Sequence, residues 1–385
     1  MNFRLHWRST VVFGAIAVTL LSLWCSHTAG ALERMDCAQA KSRIPDRDLP
    51  DFWIGDVKGL AGRFEKLSQG TAQVIAVSPG GRPMHLVTYG PKENVEHRAN
   101  FNSAIGAREP QAYMNKAART RPVILFVGPV HGHEVEALTG LVNLIHVMET
   151  GQDLRGTDQA RLRRLGSQCR LLIIPEGNPD GIARFEPRAL QGMGLDDLRF
   201  WGQGTWSDGM LCGWPGVKRQ HPFVGANTGC LGCYFNDAGI NPMHDEFFAP
   251  MSAEAPAILE VAREEGPDLA VSFHSHSSNP AILRPAYVTT EIQEDIRTLA
   301  EEYYALLGER NLPHANPFAV RGEGGRNPSP FNLTSALYHV SGASPFTFEC
   351  PHGLTTGCQV TLEQILDIQL TLHEAMIQHE LNKKK

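Results

Sequence analysis

The chain has 385 residues, 42% hydrophobic and 20% charged, with a formal net charge of −6. That is enough apolar material for one large core, it shows no repeat period, and its mild acidity gives no reason to expect nucleic acid or an anionic membrane as partner. The first 31 residues carry Arg4 and Arg8, an apolar run over Val11–Trp24, and Ala29-Gly30-Ala31 as an A-x-A cleavage site. They read as a signal peptide, too short in their apolar run for the roughly 20 residues of a membrane span. Residues 1–31 are therefore expected to be removed, leaving a secreted or periplasmic chain that starts at Leu32 and has no stable membrane span. Losing two arginines and no acidic residue takes the charge from −6 to −8.

Residues 32–60, with Pro45 and Pro50, read as a lead-in, and 61–385 as the main domain. Gln73–Val77 and Met84–Tyr89 predict two strands joined by the turn formers of Ser78–Pro83. Residues 91–120 read as an exposed connection. Val123–Val127 is an unbroken apolar run, the pattern of a strand buried on both faces, and Leu138, Leu141, Val142 and Ile145 follow at helical spacing. Arg170–Ile174 repeats the buried-strand pattern and runs into Pro175–Gly181, a series of turn formers. Residues 187–240, rich in glycine and holding Trp201, Trp206 and Trp214, predict long loops with little regular structure. Ala253–Glu264 predicts a helix, Leu269–Phe273 a strand, Glu291–Arg310 a helix, Asn311–Asn332 a loop, Leu333–Val340 a short helix and Phe346–Phe348 a strand. An amphipathic tail helix spans 362–381. Strands alternating with helices imply an α/β fold, a single domain with a mixed, mostly parallel sheet and helices on both faces.

Seven cysteines follow the leader: Cys37, Cys169, Cys212, Cys230, Cys233, Cys350 and Cys358. In an oxidising compartment several should pair, and the lone C-x-x-C of Cys230 and Cys233 reads as a structural disulfide.

Three buried-looking strands end in groups that a core rejects: His131 with Glu134, His274, and Glu349. Taken singly, each has a structural explanation, since H-x-x-E pairs are common, a histidine can bond to backbone and a glutamate can pair with a cation. The chain also holds His133, His146 and His244. Taken together, groups at the carboxyl ends of parallel strands meet in the crevice where such sheets hold ligands. One Zn2+ ion would match them, because catalytic zinc takes three His or carboxylate ligands and leaves a position for water. Two histidines and one glutamate meet that count, with one carboxylate left to act as base.

With those motifs in view, the sequence resembles the zinc metallocarboxypeptidases of the carboxypeptidase A type. Ser78–Pro83 resembles the family's S-x-x-G-R-P hairpin, His131–Glu134 its H-x-x-E pair and Asn178–Gly181 its NPDG turn. Ser272–Ser275 is similar to its third-ligand strand and Phe346–Glu349 to the strand bearing its catalytic glutamate. The resemblance implies a hydrolase of peptide bonds in which His131, Glu134 and His274 hold zinc. Glu349 is then the general base toward a zinc-bound water, and Arg219 is the cation that faces the developing oxyanion.

Against the family's pattern, Asn241 is followed by Pro242 where an arginine that grips the substrate carboxylate belongs, and proline offers neither charge nor donor. The Asn311–Asn332 loop contains no tyrosine, and its Arg321 or Arg326 is a replacement cation. His276 stands where the family often has tyrosine. Asn241, His276 and Arg326 are the expected substrate-binding residues, and the side-chain pocket is expected near Thr334 to Ala336. The leading expectation is a metallocarboxypeptidase. A zinc amidase or deacylase acting on an N-acyl amino acid or a cell-wall peptide comes second, and a catalytically silent metal- or peptide-binding protein third. Retention of Glu349 speaks against the last.

Overall fold

A computed structural model describes residues 33–314 and 329–384. The leader at 1–31 and the arginines Arg321 and Arg326 lie outside the described residues. Among the described residues nine strands occur in chain order: β1 Thr71–Val77, β2 Pro83–Tyr89, β3 Val123–Val127, β4 Arg170–Ile174, β5 Gly204–Trp206, β6 Thr228–Leu231, β7 Leu269–His276, β8 Ala281–Leu283 and β9 Ser344–Pro351. Seven form one sheet in the order β1-β2-β4-β3-β7-β9-β8. Its centre, β4-β3-β7-β9, is parallel throughout, while β1, β2 and β8 run antiparallel at the two edges.

The apolar runs that predicted the central strands bury both faces, and alternate residues divide between two cores. Ile124 and Phe126 of β3, Leu171 and Ile173 of β4, and Val271 and Phe273 of β7 join the larger core. The helices Val135–Thr150, Ala160–Gly166, Thr290–Glu309 and Leu362–Lys383 pack into it. Val123, Leu125 and Val127, Leu172 and Ile174, and Ala270 point the other way, against the helices Glu254–Glu265 and Leu333–Ser341. This is the two-residue period of a strand covered by helices on both sides. The expected α/β fold is the observed one.

Several expectations change in detail. The tail helix, read as amphipathic, is buried along most of its length, because it lies between the 135–150 and 290–309 helices. The 91–120 connection is not a bare exposed loop: it contains the Phe101–Gly106 helix, and Phe101, Ala104, Tyr113 and Met114 make a small core of their own. The 187–240 stretch holds the β5–β6 ribbon and a π-helical turn at Arg199–Gln203, gathered round Cys212, Val217, Phe223, Tyr234 and Phe235. Phe52 and Trp53 of the lead-in enter the larger core. The C-x-x-C spacing does not join its own thiols: Cys233 is buried in that core, while the Cys230 Sγ lies 2.8 Å from the Cys37 Sγ. No helix among the described residues is long and apolar enough to cross a membrane.

Two of the sequence motifs turn out to be joints between segments. The Asp180 carboxylate accepts from Ser78 Oγ at 2.5 Å, Gly80 N at 3.0 Å, Arg82 Nη1 at 2.7 Å and Asp237 N at 3.0 Å. One buried carboxylate thus ties the β1–β2 turn to the NPDG turn and to the loop after β6. The Asn178 side chain caps the short helix Pro179–Arg184 by accepting from Gly181 N, and its amide donates to Val130 O at 3.1 Å, next to His131.

Candidate metal centre

The segment between β3 and the 135–150 helix is shaped by close backbone approach. A Cβ on Gly132 would lie 2.0 Å from the carbonyl carbon of Gly181, so only glycine fits between His131 and His133. Gly132 N donates to Cys233 O at 2.7 Å, which fixes the same loop from the other side. His131 is thereby held just past the carboxyl end of the central strand β3, and Glu134 occupies the N-cap of the helix that starts at Val135.

His274 comes from inside β7, which runs on to His276, three residues beyond the predicted end. Its side chain falls on the face opposite Val271 and Phe273, where the larger core is not. Ser272 Oγ lies 3.1 Å from His274 Nε2, an orienting contact that leaves Nδ1 turned toward Glu134. In the parallel β7–β9 register His274 pairs with Glu349. Paired residues in parallel strands share a face, so Glu349 stands beside His274 on the same side of the sheet.

His131 Nδ1 lies 3.0 Å from Glu134 Oε1, His274 Nδ1 lies 3.0 Å from Glu134 Oε2, and the two imidazole nitrogens are 3.2 Å apart. All three side chains are buried, and their ligand atoms fall within 4.8 Å of one another. Two ring nitrogens and a carboxylate, closed in and aimed at one point, are the donor set that a divalent zinc ion requires. Burial would raise the Glu134 carboxyl, but the two imidazoles hold it well below the usual carboxylate range. Burial pushes His131 down in spite of Glu134, whereas Glu134 outweighs burial at His274 and holds it up. The His131 ring stacks on Tyr234 with centroids 3.9 Å apart, which fixes its plane.

The three residues open into a cavity of about 770 Å³, whose wall also includes Glu349, His276, Lys218, His244, Tyr234 and Trp214. Of the residues expected from sequence, His131, Glu134, His274, Glu349 and His276 are brought together here. His276 Nε2 donates to Asn279 O, 2.8 Å away. Arg219 is not in the cavity wall: its Nε donates to Gly216 O at 3.1 Å and its guanidinium lies 5.3 Å over the Trp206 ring. Its neighbour Lys218 does line the cavity, as does Arg199, and the Lys218 Nζ lies 2.8 Å from His244 Nε2. Loss of water pulls Lys218 below the ordinary lysine value, with the negative charges of Glu349 and Glu134 acting in the opposite sense.

Asn241 is buried and turned to its own backbone, accepting from Met243 N at 3.0 Å, while Met243 and His244 reach the cavity instead. Thr334 to Ala336, the expected pocket floor, are buried in the 333–341 helix, and Thr334 touches the cavity only through Thr347, 2.8 Å away. Arg326 lies outside the described residues.

Sequence reasoning missed Lys218, Tyr234 and His244. The signal for Lys218 was present, as one of two adjacent cations in a glycine-rich loop, but nothing local says which of the two faces inward. Tyr234 follows the C-x-x-C directly and was hidden in a stretch read as surface.

The same architecture recurs in solved structures. A metallo-carboxypeptidase from Burkholderia cenocepacia superposes with a TM-score of 0.51 at 15% identity, covering 84% of this chain and 68% of that one. A protein of Burkholderia mallei described as a carboxypeptidase gives 0.50 at 14%, covering 84% and 66%. At such identities the likeness concerns the fold. No curated protein is a significant match. A sequence profile described as zinc carboxypeptidase matches residues 65–378, most of the chain. With that match over a sheet whose strand tips gather two imidazoles and a carboxylate, the chain belongs to the zinc carboxypeptidase family and is a zinc metallopeptidase.

Proposed function

We propose that this enzyme shortens peptides from their C-terminal end, with His131, Glu134 and His274 holding one zinc ion and Glu349 serving as general acid–base. The observation that carries the proposal is the pairing of His274 with Glu349 across β7 and β9. It sets a carboxylate beside the three donors, in the wall of the same cavity. Zinc, when bound, supplies a Lewis acid that polarises a carbonyl and makes water acidic near neutral pH. Glu349 takes the proton of the attacking water and returns it to the nitrogen that departs, the two-step use of one carboxylate at one place. Lys218, on the cavity wall, offsets the negative charge that grows on the carbonyl oxygen, the task assigned from sequence to Arg219. Leu195, Leu198, Trp214 and Met243 give the cavity apolar surface for a substrate side chain.

A second reading has one observation in its favour. Asn241 faces its own turn and Pro242 has no donor, so the expected clamp on a substrate carboxylate is missing there. The same centre would then cleave an N-acyl amino acid or a cell-wall peptide as an amidase. The leader read in residues 1–31 supports export to the periplasm or medium, which fractionation of cells expressing the chain with and without those residues tests.

Zinc content and hydrolysis of a mixed peptide library, for wild type and Glu349→Gln, test the centre. One zinc per chain in both proteins, with turnover only in the wild type, is the expected result. Zinc retained without turnover in either would leave a binding protein. Cleavage of peptides with a free C-terminus but not of their C-terminal amides selects the carboxypeptidase; equal cleavage of both selects the amidase.

A further inference from the structure

We infer that Cys37 and Cys230 form a disulfide that fastens the N-terminal segment to the wall of the cavity. The two sulfurs lie 2.8 Å apart although their residues stand 193 positions apart in sequence. Both stand on fixed backbone. Cys37 opens the Cys37–Ser42 helix, which is capped reciprocally: Gln39 N donates to Asp36 Oδ1 at 2.8 Å, and Asp36 N to Gln39 Oε1 at 2.9 Å. Cys230 sits in β6, paired with β5, and its N donates to Thr205 Oγ1 at 2.9 Å.

The surroundings show what the bond would hold. Leu211 N donates to Glu33 O at 2.9 Å, and Met35 N to Gly209 O at 3.2 Å. Residues 33–35 therefore lie against the loop after β5. The same loop carries Cys212, Gly213, Trp214 and Lys218 into the cavity wall. Asp197, near Arg199 of that wall, is bound by Arg43 at the end of the 37–42 helix. A bond from Cys37 to Cys230 closes this patch covalently.

Cys37 is exposed and Cys230 is partly covered, so an oxidant meets Cys37 first. Burial and the neighbouring Cys37 push the Cys230 thiol up to about 11, which keeps it protonated until the attack. The oxidant is a disulfide, either a small one such as oxidised glutathione or a thiol–disulfide exchange protein. The Cys37 thiolate attacks one of its sulfurs, forming a mixed disulfide and expelling the other sulfur as a thiolate. Cys230, losing its proton to solvent, attacks the Cys37 sulfur and expels the second thiolate. Two thiols lose two electrons and two protons in all, and the oxidant's disulfide is reduced to two thiols.

The test uses the full chain purified without reductant, incubated with oxidised glutathione, blocked with iodoacetamide and digested. The expected product is the peptide containing Cys37 joined to the one containing Cys230, two hydrogen atoms lighter than their sum. Because Cys233 shares that second peptide, the link should persist in Cys233→Ser and vanish in Cys230→Ser. Reduction should lower the melting temperature of the linked wild type by about 5 °C or more, and should leave Cys37→Ser unmoved. Alkylation of both thiols after oxidation, a link from Cys37 to Cys233, or a melting temperature indifferent to reduction would each overturn the inference.

Discussion

Lys218 and Arg219 are neighbours in sequence and face different surroundings, and the difference sets the first prediction. Arg219 spends its charge on the Gly216 carbonyl and the Trp206 ring, while Lys218 lies in the cavity wall within the field of Glu349 and Glu134. Lys218→Met should lower kcat about 100-fold with little change in KM, as expected for a charge that acts on the transition state. Arg219→Met should leave the kinetics at the wild-type level, and a large loss there would return the role to the arginine. Gly132 gives a second test. A methyl group at that position meets the Gly181 backbone at 2.0 Å, so Gly132→Ala has to displace the loop that holds His131. Such overpacking against backbone costs about 3 kcal/mol, and zinc affinity should fall with it; denaturant unfolding and a zinc titration read the two effects separately. His131, Glu134, His274 and Glu349 were legible in the sequence because each follows a strongly apolar strand, where a polar group needs a reason. Lys218 was not, because in an irregular loop the direction of a side chain is settled by distant partners such as Trp206.

At the level of elements, the Asp180 joint predicts a pH dependence. Burial works against the ionised carboxylate, but Ser78, Asp237 N, Arg82 and Gly80 together hold it below the ordinary aspartate value. A depressed folded-state value means that the stabilisation is complete above the unfolded pKa, near 4, and drains away as pH falls below it. Urea unfolding of wild type should therefore show stability falling between pH 4 and pH 2, and Asp180→Asn should be less stable at pH 7 with a shallower slope through that window. An identical slope in the variant would assign the acid loss to other carboxylates. The two motifs this residue joins, Ser78–Pro83 and Asn178–Gly181, were visible as turns, yet their partnership was not, since Ser78 and Asp180 stand 102 positions apart in sequence. The bounds of β3 and β4 were read correctly because unbroken apolar runs need burial on both faces, whereas β7 and β9 run three residues past their predicted ends, where His274 and Glu349 break the apolar run. The β5–β6 ribbon escaped notice for the opposite reason: Gly204 and Gly229 sit in very short strands whose pairing comes from the packing of Cys212, Phe223 and Phe235 beneath them, and no alternating pattern marks it.

Across the whole molecule, the three side chains that could hold a metal come from places that only the finished fold brings together. His131 and Glu134 follow β3, His274 belongs to β7, and the two histidines stand 143 positions apart in the chain. β3 and β7 are adjacent parallel strands, so the pairing of the central sheet is itself the condition for the site. An unfolded chain offers no such convergence, and a ligand that binds only the native state stabilises it by mass action, by about 2.7 kcal/mol at a concentration 100 times its dissociation constant. The metal-free protein, prepared with a chelator, should accordingly melt about 5 °C lower than the zinc-loaded one, with the gap widening as free zinc rises. Without metal, Glu134 remains a buried carboxylate between two imidazoles that must share protons to balance it, so the apo form is expected to stay folded instead of collapsing. His274→Ala should abolish the zinc-dependent shift while Glu349→Gln keeps it, because only the first removes a donor. A melting temperature that ignores both chelator and zinc would mean that these three side chains, close as they are, do not close on a metal.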